Sequence, residues 1–222
     1  VFVKTPSLSP IKTRLANDIG RVNAEAFYTL SVAAIRSSIE SLVSMYTNIT
    51  PFFAFSEQQG MGHPLWQGWQ VLDQGAGDLG ARLNNVFTQL ISKFDSVLII
   101  GSDSPQLRVS DLEAALQVMD DKSESADPAL VIGPARDGGF YLVGSSRKLP
   151  EGFWNSVRYS TENAGRDLID NALKLCKVIT LPEEIDVDTV QDLRSLATLF
   201  PKRSDSSLAH QALQEWLSHN AE

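Results

Sequence analysis

Cysteine is nearly absent from this sequence: Cys176 is the single one in 222 residues. That excludes an internal disulfide framework and a cysteine-rich zinc site. It leaves Cys176, in or just after a helical-looking run over 167–175, as an ordinary packing residue. Long apolar runs are missing as well. None approaches the ~20 residues of a membrane span, so no membrane partner is expected. No basic-then-apolar leader opens the chain. It starts at Val1, already inside an apolar run, and the first residues of a strand are expected to precede it. A cytoplasmic location is the matching expectation. Positive charge is scarce: 19 Lys and Arg stand against 27 Asp and Glu, for a net charge of −8. Duplex nucleic acid needs a basic face to meet its phosphates, so nucleic acid is not an expected partner. An anionic small molecule stays open where cations cluster locally or a metal intervenes. The Walker pattern GxxxxGK[ST] is absent, as are internal repeats and any evident interdomain linker.

What is present is a core. Apolar residues make up 43% of the chain and charged residues 21%, a composition that folds. One α/β domain over 1–222 is expected, with a last amphipathic helix from Ser206 (about 206–219) loosely tethered through 201–207. Strands are read at 1–3, 49–55, 71–74, 97–100, 128–134, 140–143 and 177–181. Helices are read at 21–43, from Leu79 to about Phe94, from Ser110 to about Met119, at 161–175 and at 190–199. The first of these sets Val22, Ala26, Phe27, Leu30, Ala33 and Ala34 on one face. Ser110-Asp111-Leu112-Glu113 reads as a capping box. Residues 122–127 are a polar loop. Trp66 and Trp69, in the loop-like stretch 58–69, read as packing, and His63 as a loop residue without a partner at ligand spacing.

The run Val97-Leu98-Ile99-Ile100-Gly101-Ser102-Asp103-Ser104-Pro105 organises the rest. Four apolar residues read as a strand buried on both faces. Asp103 follows at the carboxyl end, where open α/β sheets meet their ligands. A plainer reading has Asp103 and Ser104 only capping a turn, with Pro105 ending the strand. Ahead of it, Lys4, Lys12 and Arg14 gather in one Pro- and Ser-rich loop between a strand and a helix, an arrangement that collects phosphates. The plainer alternative is a solvated basic loop. Gln74 to Gly80 is a Gly-rich entry to a helix. It either lets a ligand approach the backbone or forms a plain turn with Asp78 as a first-turn acid. Asp137-Gly138-Gly139 is first a hairpin signal; the functional reading puts Asp137 on a tip above the ligand. Asp186 and Asp188 are two apart and share a face if extended. Only one of them need reach a metal, and Asp188 can instead be an N-cap.

Five segments in order, KTPSLSPIKTRLA, QGAGDLGARL, GSDSPQL, GPARDGGFYLVG and DVDTVQDL, resemble the GT-A-like family known as transferase 1, rSAM/selenodomain-associated, or arsenosugar biosynthesis glycosyltransferase. That family lies within the nucleotide-diphospho-sugar transferase superfamily. The chain is also similar to the guanylyltransferase that activates 2-phospholactate. The match runs from about Val3 to Leu193. The resemblance implies a GT-A fold: a Rossmann-like mixed, mostly parallel sheet flanked by helices. By carry-over, Lys4, Lys12 and Arg14 hold a nucleotide diphosphate. Gln74, Asp78 and Gly80 border the nucleobase. Asp103 stands at the superfamily's metal-binding aspartate, beside the nucleotide, and Asp188 at the second metal carboxylate. Asp137, Gly138 and Gly139 face the sugar or acceptor. One departure is Ser9, where the family's first loop usually has glycine.

The chemistry follows from the leaving group. Breaking a sugar–phosphate bond releases a nucleoside diphosphate, and breaking an α–β phosphate bond releases pyrophosphate. Both need positive charge, which Mg²⁺ or Mn²⁺ on one or two carboxylates supplies together with the lysine and arginine. Inverting glycosyl transfer also needs a base for the acceptor hydroxyl, and Asp137 is the candidate. The expected activity is a metal-dependent glycosyltransferase taking a nucleotide sugar and a small-molecule acceptor. The alternative is a nucleotidyltransferase joining a nucleoside triphosphate to a phosphorylated small molecule. A non-catalytic nucleotide-binding protein is a third reading, disfavoured by the retained cations and acids.

Overall fold

A computed structural model describes residues 1–119, 129–200 and 207–221. The expected loop at 122–127 and most of the tether at 201–207 lie outside the described residues. The order of elements is β1 (Phe2–Val3), α1 (Thr13–Ile19), α2 (Arg21–Met45), β2 (Phe52–Phe55), β3 (Gln70–Asp73), α3 (Leu79–Ile91), β4 (Val97–Ile100), α4 (Val109–Met119), β5 (Ala129–Pro134), β6 (Phe140–Ser145), α5 (Ala164–Leu173), β7 (Lys177–Thr180), α6 (Val190–Leu199) and α7 (Leu208–Asn220).

The strands form a parallel set β1-β2-β3 and a mixed set β4-β6-β5-β7. In the second set β6 runs antiparallel to both β4 and β5, while β5 and β7 are parallel. Among the described residues parallel pairings outnumber antiparallel ones, and helices cover both faces, as the resemblance implies. β1 and β4 are not paired; Phe2 of β1 and Val97 and Ile99 of β4 all line a cavity of about 360 Å³.

Both faces of the mixed set are covered because β5 is apolar at every position. Leu130 and Ile132 pack under Leu83 and Phe87 of α3 and Leu168 of α5. Val131 points the other way, to Ile35 and Ile39 of α2 and Leu112 of α4. A third cluster joins Leu15, Phe27, Val187, Leu193, Leu213 and Leu217, so α7 packs against α2 and α6. Each such fully buried side chain contributes roughly 1.5–3 kcal/mol over leaving it in water. Gly20 separates α1 from α2 at φ 84°, ψ 151°, a conformation only glycine adopts readily.

Two local readings are corrected. The buried residues of α2 are Ala24, Phe27, Tyr28, Ser31, Val32, Ala34, Ile35, Ser38, Ile39 and Leu42, which keeps Phe27 and Ala34 of the expected face, whereas Val22 is 81% exposed. Two buried serines interrupt the apolar stripe, which displaced the periodicity. α4 starts at Val109, so Ser110 lies inside it, and Asp111 closes the first turn by accepting the Arg108 N–H at 3.2 Å. Glu113 is engaged elsewhere, accepting the Tyr46 hydroxyl at 3.0 Å.

Candidate functional site

The loop after β1, the loop after β4, the β5–β6 turn and the segment before α6 line one cavity of about 960 Å³. It lies at the carboxyl ends of β1 and β4, where the fold class places ligands.

The first loop is held from below. Leu8 and Ser9 donate to the Thr5 carbonyl at 3.1 and 3.2 Å, and Ser7 takes a left-handed φ of 67°. Glu57, just past β2, accepts the Thr5 N–H at 2.7 Å and the hydroxyls of Ser9 and Ser56. Partial burial alone would raise the Glu57 pKa, but these hydrogen bonds prevail and hold it below its ordinary value. Ser9, where the resembled family has glycine, thus serves as a tie to Glu57. The Lys4 backbone is pinned by Tyr28, whose hydroxyl accepts the Lys4 N–H at 2.8 Å and donates to its carbonyl at 2.9 Å. The Lys4 side chain is exposed and lines the cavity.

Lys12 turns inward. Its backbone is left-handed, φ 47° and ψ 50°, at a cost of about 1–2 kcal/mol for a non-glycine residue. Its side chain is only 3% exposed, and Nζ lies 2.9 Å from Asp103 Oδ1 and 3.1 Å from Asp188 Oδ1. Burial would lower the lysine pKa, but the carboxylates of Asp103, Asp186 and Asp188 outweigh it and keep the ammonium firmly charged. Arg14 is 75% exposed and approaches Asp188 Oδ2 at 3.7 Å.

The Asp103 loop is fastened by α2. Ser31 Oγ donates to the Ser102 carbonyl at 2.7 Å, and Ser38 Oγ to the Leu107 carbonyl at 2.9 Å. The acidic segment is extended, as its spacing suggests. Ile185 and Val187 enter the core while Asp186 and Asp188 face the cavity. The Val187 N–H reaches the Asp103 carbonyl at 3.1 Å, and Gln106 Nε2 donates to the Ile185 carbonyl at 2.7 Å. Thr189, not Asp188, caps α6, in a reciprocal box with Asp192. Asp188 is therefore left to the cavity.

Asp103, Asp186 and Asp188 each bring a carboxylate oxygen within 4.8 Å of the others. Desolvation, reinforced by the Asp103 charge, pushes the Asp186 pKa up to about 7 against the opposing pull of Lys12. Three hard oxygen donors suit Mg²⁺ or Mn²⁺, so this cluster could hold a divalent ion. Asp186 belongs to it as fully as Asp188. The alternation of 185–188 carried that signal, and the expectation that one acid suffices set it aside.

The remaining candidates divide. Asp78 lines the cavity and caps α3 by accepting the Ala81 N–H at 2.9 Å. Gln74 borders the cavity but is buried, and its amide donates to the carbonyls of Ala54 at 2.8 Å and Val3 at 3.3 Å, bridging β1 and β2. Gly80 packs against Tyr159 and the Trp154 backbone and is not in the lining. Asp137-Gly138-Gly139 forms the hairpin turn, and Asp137 and Gly139 also face the cavity. Gly138 lies against the Glu162 backbone instead. Trp66 and Trp69 pack on Phe53 at ring separations of 5.0 and 4.5 Å, and His63 accepts the Leu65 N–H at the start of a short turn. Cys176 packs beside the cluster under α5.

Residues 33–161 match the profile of a family described as an uncharacterized protein conserved in bacteria (DUF2064). Among solved structures, a protein provisionally named a nucleotide-diphospho-sugar transferase, from Desulfovibrio desulfuricans G20, superposes with a TM-score of 0.81 at 23% identity. The alignment covers 99% of this chain and 95% of that one. A CMP:2-keto-3-deoxy-manno-octonic acid synthetase complexed with CTP superposes with a TM-score of 0.50 at 14% identity, covering 89% and 95%. No curated protein matches significantly. These likenesses establish the nucleotide-diphospho-sugar transferase fold.

Proposed function

Because the chain belongs to the DUF2064 family and folds in this way, we propose that it is a metal-dependent glycosyltransferase that takes a nucleotide sugar and a small-molecule acceptor. The observation that carries the reading is the polarity of the cavity. Lys4, Lys12 and Arg14 face it from the first loop, and Asp103, Asp186 and Asp188 meet Lys12 inside it. An anionic diphosphate fits beside the cations. A divalent ion on the three carboxylates would neutralise charge on the departing diphosphate.

The chain's own residues do the rest. Lys12 and Arg14 bind the diphosphate as point charge and fork. Asp78 and its helix entry border the nucleobase. Asp137, exposed at the lip, is the proposed base. It takes the proton of the acceptor hydroxyl as that oxygen bonds to the anomeric carbon. The anomeric carbon–phosphate oxygen bond breaks at the same time, and its electron pair leaves with the nucleoside diphosphate. Electrostatic groups of this kind are worth roughly 3–4 kcal/mol each in a closed site.

The test is thermal shift with nucleoside di- and triphosphates and nucleotide sugars, with and without Mn²⁺, on wild type and Asp103→Asn. A ligand at a hundredfold excess over its Kd adds about 2.7 kcal/mol, or about 5–11 °C in a chain of this size. A Mn²⁺-dependent shift lost in Asp103→Asn is expected. No shift with any nucleotide refutes the reading. Product analysis separates the competing nucleotidyl transfer, which alone releases pyrophosphate.

A further inference from the structure

One wall of the same cavity is built from the β5–β6 turn and the segment leading into α5. Asp137, Phe140, Tyr159, Ser160, Thr161 and Glu162 line it. This wall contributes two carboxylates, hydroxyls and two aromatic rings, and among the described residues no lysine or arginine.

Several of the donors that could receive an anion there are already engaged. The α5 N-terminus, otherwise a natural phosphate site, spends its first two N–H groups inside the protein: Ala164 donates to the Thr161 carbonyl at 3.2 Å and Gly165 to the Gly138 carbonyl at 2.7 Å. Asn163 donates to Thr161 Oγ1 at 3.2 Å. In the turn, the Gly139 N–H donates to Asp137 Oδ1 at 2.9 Å. Arg158, next to this wall in sequence, is forked onto Asp167 at 2.8 Å by both Nε and an NH group, and does not line the cavity. Arg82, the cation that α3 brings to the cavity, is folded back so that Nε donates to the Gly77 carbonyl at 3.0 Å.

A wall with two carboxylates, no cation among the described residues and several of its donors committed favours a ligand that gives hydrogen bonds and carries no negative charge. Building on the nucleotide-sugar reading, we propose that the acceptor is a neutral or amino-bearing polyol, and that phosphorylated or carboxylated acceptors are rejected. Like charges brought together in a binding site are strongly unfavourable, whereas hydroxyls or an ammonium would pair with Asp137 and Glu162, and a sugar face would lie on Phe140 and Tyr159.

The experiment uses the intact protein with Mn²⁺ and whichever of UDP, GDP, ADP and CDP binds. Affinities are measured by ligand-observed NMR for glucose, glucosamine and glucose 6-phosphate, and for glycerol and glycerol 3-phosphate. Each phosphorylated member is expected to bind at least about tenfold more weakly than its parent. Glu162→Lys, an exposed position, is expected to narrow or reverse that ratio. Equal or tighter binding of the phosphorylated members overturns the proposal, as does binding of no pair member at all, while the nucleotide reading stands. If no nucleotide binds, the nucleotide reading fails first and this proposal with it.

Discussion

Lys12→Met keeps the long stem of the side chain and deletes its charge from among three carboxylates. Removing one partner of a buried ion pair costs about 3–5 kcal/mol in general. Two features reduce that here. The partner side chains of Asp103 and Asp188 are 31% and 40% exposed, so water reaches them. Asp186, whose pKa is pushed up to about 7, can also take a proton and remove one of the facing charges. A loss of about 2 kcal/mol is expected, or about 4–8 °C in melting temperature. The loss is expected to be greater at pH 8 than at pH 6, because Asp186 is ionised at the higher value. Urea unfolding in a chelator at both pH values measures it, and Mn²⁺ is expected to restabilise the variant more than the wild type. A variant as stable as wild type at pH 8, with no response to Mn²⁺, would refute the electrostatic account of the centre.

Two other substitutions follow from the geometry. The native state holds the Asp186 proton up to about pH 7, while an unfolded chain gives it up near pH 4, so its contribution to stability falls as pH rises between those values. Asp186→Asn should remove that slope, read as the wild-type-minus-variant difference in melting temperature from pH 4.5 to 8; an unchanged slope would place the titration elsewhere. In Gly138→Ala the new Cβ would stand 2.0 Å from the Glu162 carbonyl oxygen at a φ of 87°, so a loss above about 2 kcal/mol is expected. Gly152→Ala, at φ 82° with nothing within 4 Å, isolates the backbone cost of about 1 kcal/mol. Equal losses in the two variants would remove the packing explanation for Gly138.

Much of this arrangement was legible in the residues because local signals agreed with the fold. Val97 to Ile100 read as a covered strand, and the abrupt change to Gly101-Ser102-Asp103 marked its carboxyl end, which opens on the cavity. The Asp137-Gly138-Gly139 turn is the hairpin its residues suggest, and that hairpin fixes where Asp137 stands, on the cavity. Other parts were hidden because they depend on contacts between distant segments. Nothing near Glu57 announces that it holds the first loop. Ser31 and Ser38 look like interruptions of a helical stripe until their bonds to the carbonyls of Ser102 and Leu107 are seen. Gln74 sits in a motif that suggests nucleobase contact, yet its amide bridges two strands. Thr189 outcompeted Asp188 as the cap of α6 because Asp192 completes a reciprocal box with it.

The bond between Lys12 and Asp188 spans 176 residues of sequence. Such separations make for slow, late-forming contacts, since chain entropy must be overcome before they repay it. A polypeptide emerging from the ribosome has its basic loop early and Asp103 midway, but no complete charge centre until residues 186–188 have been synthesised and laid along the Asp103 loop. Until then Lys12 has no full set of counter-charges, and its left-handed backbone has less to hold it. Competence at this centre therefore reports that nearly the whole chain is in place, and a truncation just ahead of Asp186 would retain all seven described strands while losing two of the centre's three carboxylates.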